Sequence, residues 1–199
     1  MSIFSLNIIE LLRAVGYVGM FVMIFAESGL FFGFFLPGGS LLFTAGLLAS
    51  QGVFNIYWLI FLLGAAAILG DSTGYWFGAK VGDKIFVKED SLFFNKKYLE
   101  KTKHYYDQYG PMTIVIGRFV PFVRTFAPIL AGVGKMSYRK FLLFNVLGAL
   151  LWAVGVSLLG YFLGSVVPGI DKYISLIVVS IVILTLLPIL FKLKFKKKV

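Results

Sequence analysis

The segment from Gly117 to Ala131 constrains the fold most, because it places two arginines and two prolines in an otherwise apolar run. Arginine in hydrocarbon is costly and usually marks a functional site. Arg118 and Arg124 are six residues apart and would point in directions about 120° apart on a straight helix. Pro121 lies between them and predicts a bend or an unwound stretch, because it removes a helical hydrogen bond. Both guanidinium groups can then converge on one anion, above all a phosphate, through planar paired hydrogen bonds.

Composition places the chain among membrane proteins. Apolar residues make up 59% of its 199 residues and charged residues 14%, and the mean hydropathy is +0.92. These values do not describe a water-soluble domain. Because the chain has only one long polar interruption, we expect a single membrane domain over residues 1–199. Cysteine is absent, which excludes disulfides and thiolate metal ligands, and the first apolar run lacks the pattern of a signal peptide.

The apolar runs predict an all-α polytopic membrane protein with about four transmembrane helices. The expected spans are residues 14–36, 56–79, 141–163 and 173–191. The run at 41–49 covers only about 13 Å as a helix, which is too short to cross a bilayer. The run at 112–130 is broken by Pro121 and Pro128. We therefore expect two re-entrant helical hairpins, near residues 27–50 and 112–132, surrounded by protein or by a wet cavity.

A polar linker at residues 80–110 separates the two parts of this domain. Leu92, Leu99 and Tyr106 recur every seven residues among lysines, which predicts an amphipathic helix on the membrane surface. Lysines are dense in this linker and in the tail at residues 192–199, so the linker and both termini are expected in the cytoplasm. The net charge of +10 then reflects topology and attraction to anionic lipid, and nucleic acid is not an expected partner.

A weak internal repeat relates the first half, residues 1–79, to the second half, residues 111–164. The matches are Pro37 with Pro121, Ala45-Gly46 with Ala131-Gly132, and Gly74 to Gly78 with Gly160 to Gly164, at offsets of 84 or 86 residues. The predicted topology sends the two halves through the membrane in opposite directions. An inverted repeat of this kind is typical of transporters, whose binding site lies where broken helices meet near the midplane.

A longer signature includes the arginine segment. It consists of the string GRFVPFVRTFAP at residues 117–128, then Ala131-Gly132, Met136, Phe141, Asn145, Gly148 and Trp152, with Glu27, Pro37-Gly38 and Gly70-Asp71 upstream. This pattern resembles the DedA family, also described as SNARE-associated or VTT-domain membrane proteins, over nearly the whole chain. The resemblance implies two facing re-entrant hairpins. It also implies a role in moving phospholipids or polyprenyl phosphate carriers between leaflets, in bacteria often linked to the envelope and the proton gradient.

The resemblance also implies roles for single residues. The family's essential membrane acid falls on Glu27, and its two essential arginines fall on Arg118 and Arg124. Many relatives carry an acid where this chain has Gly39. The second acid of the implied proton pathway is therefore missing at that position, which shifts proton coupling onto Glu27 alone or removes it.

We predict a transporter or flippase for a phosphate-bearing lipid, such as undecaprenyl phosphate or a phospholipid, in a bacterial plasma membrane. The expected substrate site is Arg118, Arg124, Pro121 and Pro37, and the expected proton-coupling acids are Glu27 and Asp71. A protonated Glu27 would leave the arginines free for the lipid headgroup. A deprotonated Glu27 would compete with that headgroup for the arginines. No cofactor or metal is expected, and the chain could form a homo-oligomer.

Other interpretations remain open for the same residues. The arginines could reach toward headgroups or pair with acids that only hold the hairpin, and Glu27 and Asp71 could be structural counter-ions or local hydrogen-bond partners. The chain could also be a proton or small-ion exchanger that affects lipids indirectly. A lipid-phosphate enzyme is disfavoured, because His104 is the only histidine and lies on the polar linker, away from the arginines.

Overall fold

The computed structural model of the chain describes residues 3–30, 38–81 and 96–167, and in these ranges it is helical with no strand. The predicted all-α class is therefore confirmed for the described residues. The helices are α1 (Ile3–Gly29), α2 (Gly38–Ser50), α3 (Ile56–Val81), α4 (Lys96–Tyr109), α5 (Thr113–Gly117), α6 (Pro121–Val133), α7 (Tyr138–Ala149) and α8 (Gly155–Val166). A 3-10 turn at Gly110–Met112 precedes α5, and a π-helical turn at Leu150–Val154 joins α7 to α8.

Within the described residues, two helical stretches are long and apolar enough to cross a membrane. One is α3, with 26 residues, and the other is the continuous stretch Tyr138–Val166, with 29 residues. They cover the predicted spans at 56–79 and 141–163. The predicted span at 173–191 and the basic tail at 192–199 lie outside the described residues. The total number of spans and the re-entrant course of the two hairpins stay predictions.

The first helix differs from its prediction. We expected one helix over residues 14–36, but α1 is interrupted at Gly16 and ends at Gly29. Gly16 has φ 58° and ψ −161°, a conformation that glycine adopts easily because it has no Cβ. The apolar part beyond this break, Gly16–Gly29, is too short to span a bilayer as a straight helix. Residues 31–37, including Pro37, lie outside the described residues.

The arginine segment breaks once, not twice. As predicted, no helix runs continuously from Arg118 to Arg124, because α5 ends at Gly117 and α6 begins at Pro121. Proline is well suited to the first position of a helix, where its missing N–H has no partner to lose. The expected break at Pro128 is wrong, since α6 continues through it to Val133. There α6 packs against α3, with Pro128 beside Gly74, so neighbouring protein supports the helix at the proline.

Helices α3 and α6 are in backbone contact. A Cβ added at Gly78 would lie 2.1 Å from the Ile129 carbonyl oxygen, and a Cβ at Gly132 would lie 2.1 Å from the Tyr75 carbonyl oxygen. Each glycine follows the contacted carbonyl of its own helix by three residues. Only glycine at both positions permits this distance between the two helices.

Helices α2 and α8 repeat the same arrangement. A Cβ at Gly46 would lie 2.0 Å from the Ser157 carbonyl oxygen, and a Cβ at Gly160 would lie 2.1 Å from the Phe43 carbonyl oxygen. The short helix of each sequence half therefore packs on the long helix of the other half. By this packing, Gly160 is the counterpart of Gly78. The sequence offset instead paired Gly78 with Gly164, which lies one helical turn further along α8.

The central linker forms a helix that packs on the protein. Of the residues in α4, Tyr106 is half-buried and its hydroxyl donates a hydrogen bond to the Ala127 carbonyl of α6 at 2.8 Å. Burial raises the pKa of Tyr106 and keeps it a neutral donor. The predicted helix is thus confirmed over Lys96–Tyr109, but at Tyr106 its apolar side contacts α6. Leu92 and the side chain of Leu99 lie outside the described residues.

Candidate functional site: two buried arginine–carboxylate pairs

Both arginines of the signature segment are buried and paired with acids. Arg118 is 2% exposed, and its Nη2 donates to Asp71 Oδ2 at 2.7 Å, while Asp71 is 1% exposed. Arg124 is 8% exposed, and its Nη2 donates to Oε1 of Glu27, which is 1% exposed. The guanidinium groups therefore point into the protein and not toward bulk water.

The two ion pairs form one cluster of four charges. The side chain of Asp71 interacts electrostatically with Arg118 and also with Arg124, and Glu27 likewise interacts with both. Helices α1 and α3 supply the two acids, while Arg118 directly follows α5 and Arg124 lies in α6. Both acids thus belong to the first sequence half and both arginines to the second. The cluster is electrically neutral when all four groups are ionised.

The first turn of α2 holds the Glu27 carboxylate. The backbone N–H of Gly38 donates to Glu27 Oε1 at 3.0 Å, and the N-terminus of a helix favours a negative charge. A Cβ at Gly38 would lie only 1.3 Å from Glu27 Oε2, so any side chain at this position would displace the carboxylate. The sequence showed Pro37-Gly38 as a helix break but did not reveal this contact. Of the two prolines predicted at the site, Pro37 is outside the described residues, and Pro121 starts α6 but its side chain is not described.

Asn145 of α7 is a site residue to which the sequence assigned no role. It is fully buried, its Oδ1 accepts a hydrogen bond from Arg118 Nη2 at 2.5 Å, and its Nδ2 donates to the Ile68 carbonyl of α3 at 3.1 Å. One turn further on, a Cβ at Gly148 would lie 3.0 Å from Arg118 Cδ and Nε. Helix α7 thus makes room for the arginine stem and binds its head.

Trp152 is a second such residue. The guanidinium carbon of Arg124 lies 5.1 Å from the centroid of the Trp152 ring, within the range of a cation–π interaction. Trp152 is buried in the π-helical turn between α7 and α8. Among the described residues, each arginine therefore contacts one carboxylate and one neutral side chain. Both neutral residues occur in the sequence signature, but no local pattern links either of them to an arginine.

Several polar atoms of the cluster have no hydrogen-bond partner among the described residues. They are Arg118 Nε and Nη1, Arg124 Nε, Glu27 Oε2 and Asp71 Oδ1. A buried donor without a partner is costly, so it favours a site that binds an additional polar group. The free guanidinium donors of both arginines can bind the oxygens of an oxyanion that enters the cluster.

Comparisons with known proteins show the family of the chain. The VTT domain matches residues 36–162 of the chain, a range that includes Asp71, Arg118 and Arg124. The chain belongs to the DedA family. It is 42% identical over 189 residues to Protein DedA of Escherichia coli, covering 92% of this chain and 86% of that relative.

Two further relatives of this DedA-family chain carry names that place them in membranes. An uncharacterized membrane protein of Mycobacterium tuberculosis is 44% identical over 174 residues, covering 86% of this chain and 76% of the relative. The inner membrane protein YghB of Escherichia coli is 37% identical over 171 residues, covering 86% and 78%. No solved structure matches the chain. Family, apolar helices and relatives together establish a membrane protein.

Proposed function

We propose that this DedA-family protein moves a phosphate-bearing lipid, such as undecaprenyl phosphate or a phospholipid, between the leaflets of the membrane. In this proposal Arg118 and Arg124 bind the phosphate, while the lipid tails stay in the bilayer. The observation that supports it is the pair of buried arginines, which between them keep three guanidinium nitrogens without partners among the described residues. Arginine binds phosphate through two parallel hydrogen bonds, and burial strengthens such charge-assisted bonds.

Charge balance links lipid binding to protons. The cluster holds two cations and two carboxylates, so an entering phosphate would leave uncompensated negative charge in a buried site, which is strongly unfavourable. Protonation of Glu27 or Asp71 would remove this excess and release an arginine at the same time. We expect about one proton taken up with a phosphodiester and about two with a phosphomonoester. Asp71 can then provide the second acid that is missing at Gly39.

The distribution of lysine indicates the membrane topology that we propose. The basic linker and tail favour a multi-pass protein of the bacterial plasma membrane with both termini in the cytoplasm. The predicted inverted repeat would bring the broken segments of both halves to the middle of the membrane. The charge cluster supports this proposal because it joins acids of the first half with arginines of the second.

The test is lipid exchange in liposomes that contain the purified protein. Arg118→Lys and Arg124→Lys keep the positive charge, and therefore the ion pairs, but lose the planar donor geometry. We expect each variant to move lipid phosphate at least tenfold more slowly than the parent, an effect of about 1.4 kcal/mol. Arg139→Lys is the matched control, because Arg139 is exposed at the start of α7.

Three outcomes would contradict the proposal. Unchanged exchange rates in both site variants would remove the arginines from the mechanism. A pH change inside the vesicles that occurs without any lipid substrate would favour the proton or small-ion exchanger. Release of inorganic phosphate from the lipid would favour an enzyme.

A further inference from the structure

We infer that Asn145 and Trp152 are positioning residues, which hold Arg118 and Arg124 in place while the carboxylates release them for the lipid phosphate. This inference rests on the proposed function, which it extends by two residues. It starts from the observation that, within the part of the chain that the structure describes, each arginine has one charged and one uncharged side-chain partner.

The two kinds of partner respond differently to protons and to phosphate. Protonation of Asp71 or Glu27 removes the negative charge that holds its arginine, and a phosphate competes for the same guanidinium group. The amide of Asn145 and the ring of Trp152 do not titrate and carry no net charge, so they stay attached in both states. An uncharged partner therefore orients a cation without competing electrostatically with its anionic substrate.

Both positioning residues lie on one helical stretch. Asn145 and Trp152 are seven residues apart in Tyr138–Val166, which is about two helical turns, and Trp152 lies in the π-helical turn. Asn145 is itself fixed, because its amide nitrogen is bonded to the Ile68 carbonyl of α3. Gly148, between the two residues, leaves the space that the Arg118 stem occupies. The stretch thus presents a prepared surface for both arginines.

Such support matters because arginine is flexible. A long side chain released by its carboxylate loses a fixed orientation, and binding a phosphate would then have to order it again. A guanidinium that remains stacked on Trp152 or bonded to Asn145 keeps its donors aimed at the cluster. The positioning residues should therefore act on the half-saturating concentration of lipid more than on the stability of the fold.

Trp152→Leu tests the stacking contact, because leucine is apolar but has no π face. We expect the half-saturating lipid concentration in liposomes to rise about tenfold, and Trp152→Phe to restore most of this loss. Phe54→Leu is the matched control, since Phe54 is buried and packs edge-on against Tyr17, a contact that involves neither arginine. It should lower the melting temperature without changing half-saturation.

Asn145→Asp tests the hydrogen bond to Arg118. The substitution keeps the size of the side chain but adds a carboxylate that competes with phosphate until it is protonated. We expect the pH profile of lipid exchange to move toward acid, by about one pH unit, with the protein still folded. In Asn145→Ser the side chain is too short to reach Arg118 and adds no charge. This variant should raise the half-saturating lipid concentration and leave the pH profile unchanged.

The results separate this inference from the proposed function. If the parent moves lipid phosphate while Trp152→Leu behaves like Phe54→Leu and Asn145→Asp keeps the parental pH profile, the positioning roles are wrong and the transport proposal stands. If the parent moves no lipid phosphate, the proposed function fails and this inference fails with it. A raised half-saturation in Trp152→Leu together with an acid shift in Asn145→Asp supports both.

Discussion

Gly38→Ala tests whether the first turn of α2 holds the Glu27 carboxylate. A Cβ at this position would lie 1.3 Å from Glu27 Oε2 and 2.3 Å from its Cδ. The carboxylate must therefore move, and we expect it to lose its contacts with the Gly38 N–H and the Arg124 guanidinium. The substitution separates the ion pair without changing either charged residue.

The expected loss of stability follows from the burial of the pair. Disrupting a buried ion pair while charge remains in the interior costs about 3–5 kcal/mol. Replacing glycine by alanine in a helix returns at most about 1 kcal/mol. We therefore expect a net loss of about 3 kcal/mol, which for a chain of this length lowers the melting temperature by about 6–12 °C.

The neighbouring glycine provides a matched control. Gly39 lies in the same turn of α2, but a Cβ there meets no atom within 4 Å. Melting in detergent and lipid exchange in liposomes should be measured for Gly38→Ala and Gly39→Ala side by side. Gly39→Ala should melt at or slightly above the parental temperature and keep its exchange rate, while Gly38→Ala loses both.

A second background isolates the contact itself. In Glu27→Ala the atoms that oppose a Cβ at position 38 are absent, so adding Gly38→Ala should change the melting temperature no more than Gly39→Ala does. This is a double-mutant cycle on one contact. Equal melting temperatures and exchange rates for Gly38→Ala and Gly39→Ala in the parental background would refute the reasoning.

Three further predictions concern packing, protons and topology. Gly78→Ala should destabilise the protein by about 1–3 kcal/mol in a thermal melt, because its Cβ would lie 2.1 Å from a carbonyl oxygen of α6. Gly155→Ala is the control in the same melt, because a Cβ there would meet no atom within 4 Å. Glu27→Gln and Asp71→Asn should each lower the number of protons taken up per lipid by about one, as measured with a pH dye in proteoliposomes. An unchanged number of protons per lipid in both variants would exclude the two residues as coupling acids. His104→Cys adds a single thiol to a cysteine-free chain at an exposed position of α4, and an impermeant thiol reagent should label it only after the cells are opened; labelling in intact cells would reverse the topology.

The sequence predicted features that depend on neighbouring residues in the chain. Hydropathy identified the membrane class and the two long apolar helices, because the bilayer acts on each run of residues directly. Pro121 identified the break between the arginines, because a proline changes the backbone at its own position. The same rule failed at Pro128, where contact with α3 lets α6 continue. The sequence also did not predict the break at Gly16, since an isolated glycine permits a left-handed conformation without requiring it.

The sequence by itself determined which charged residues enter the membrane domain, and only the tertiary structure decided which of them meet. Glu27 and Arg124 are 97 residues apart, and Asp71 and Arg118 are 47 residues apart, so no local pattern pairs them. The contact of Gly38 with a carboxylate depends likewise on how α1 and α2 pack, and nothing in the string Gly38-Gly39 distinguishes the two glycines. Ion pairs act through space, and it is the packing of the helices that brings the cations and the acids into one buried cluster.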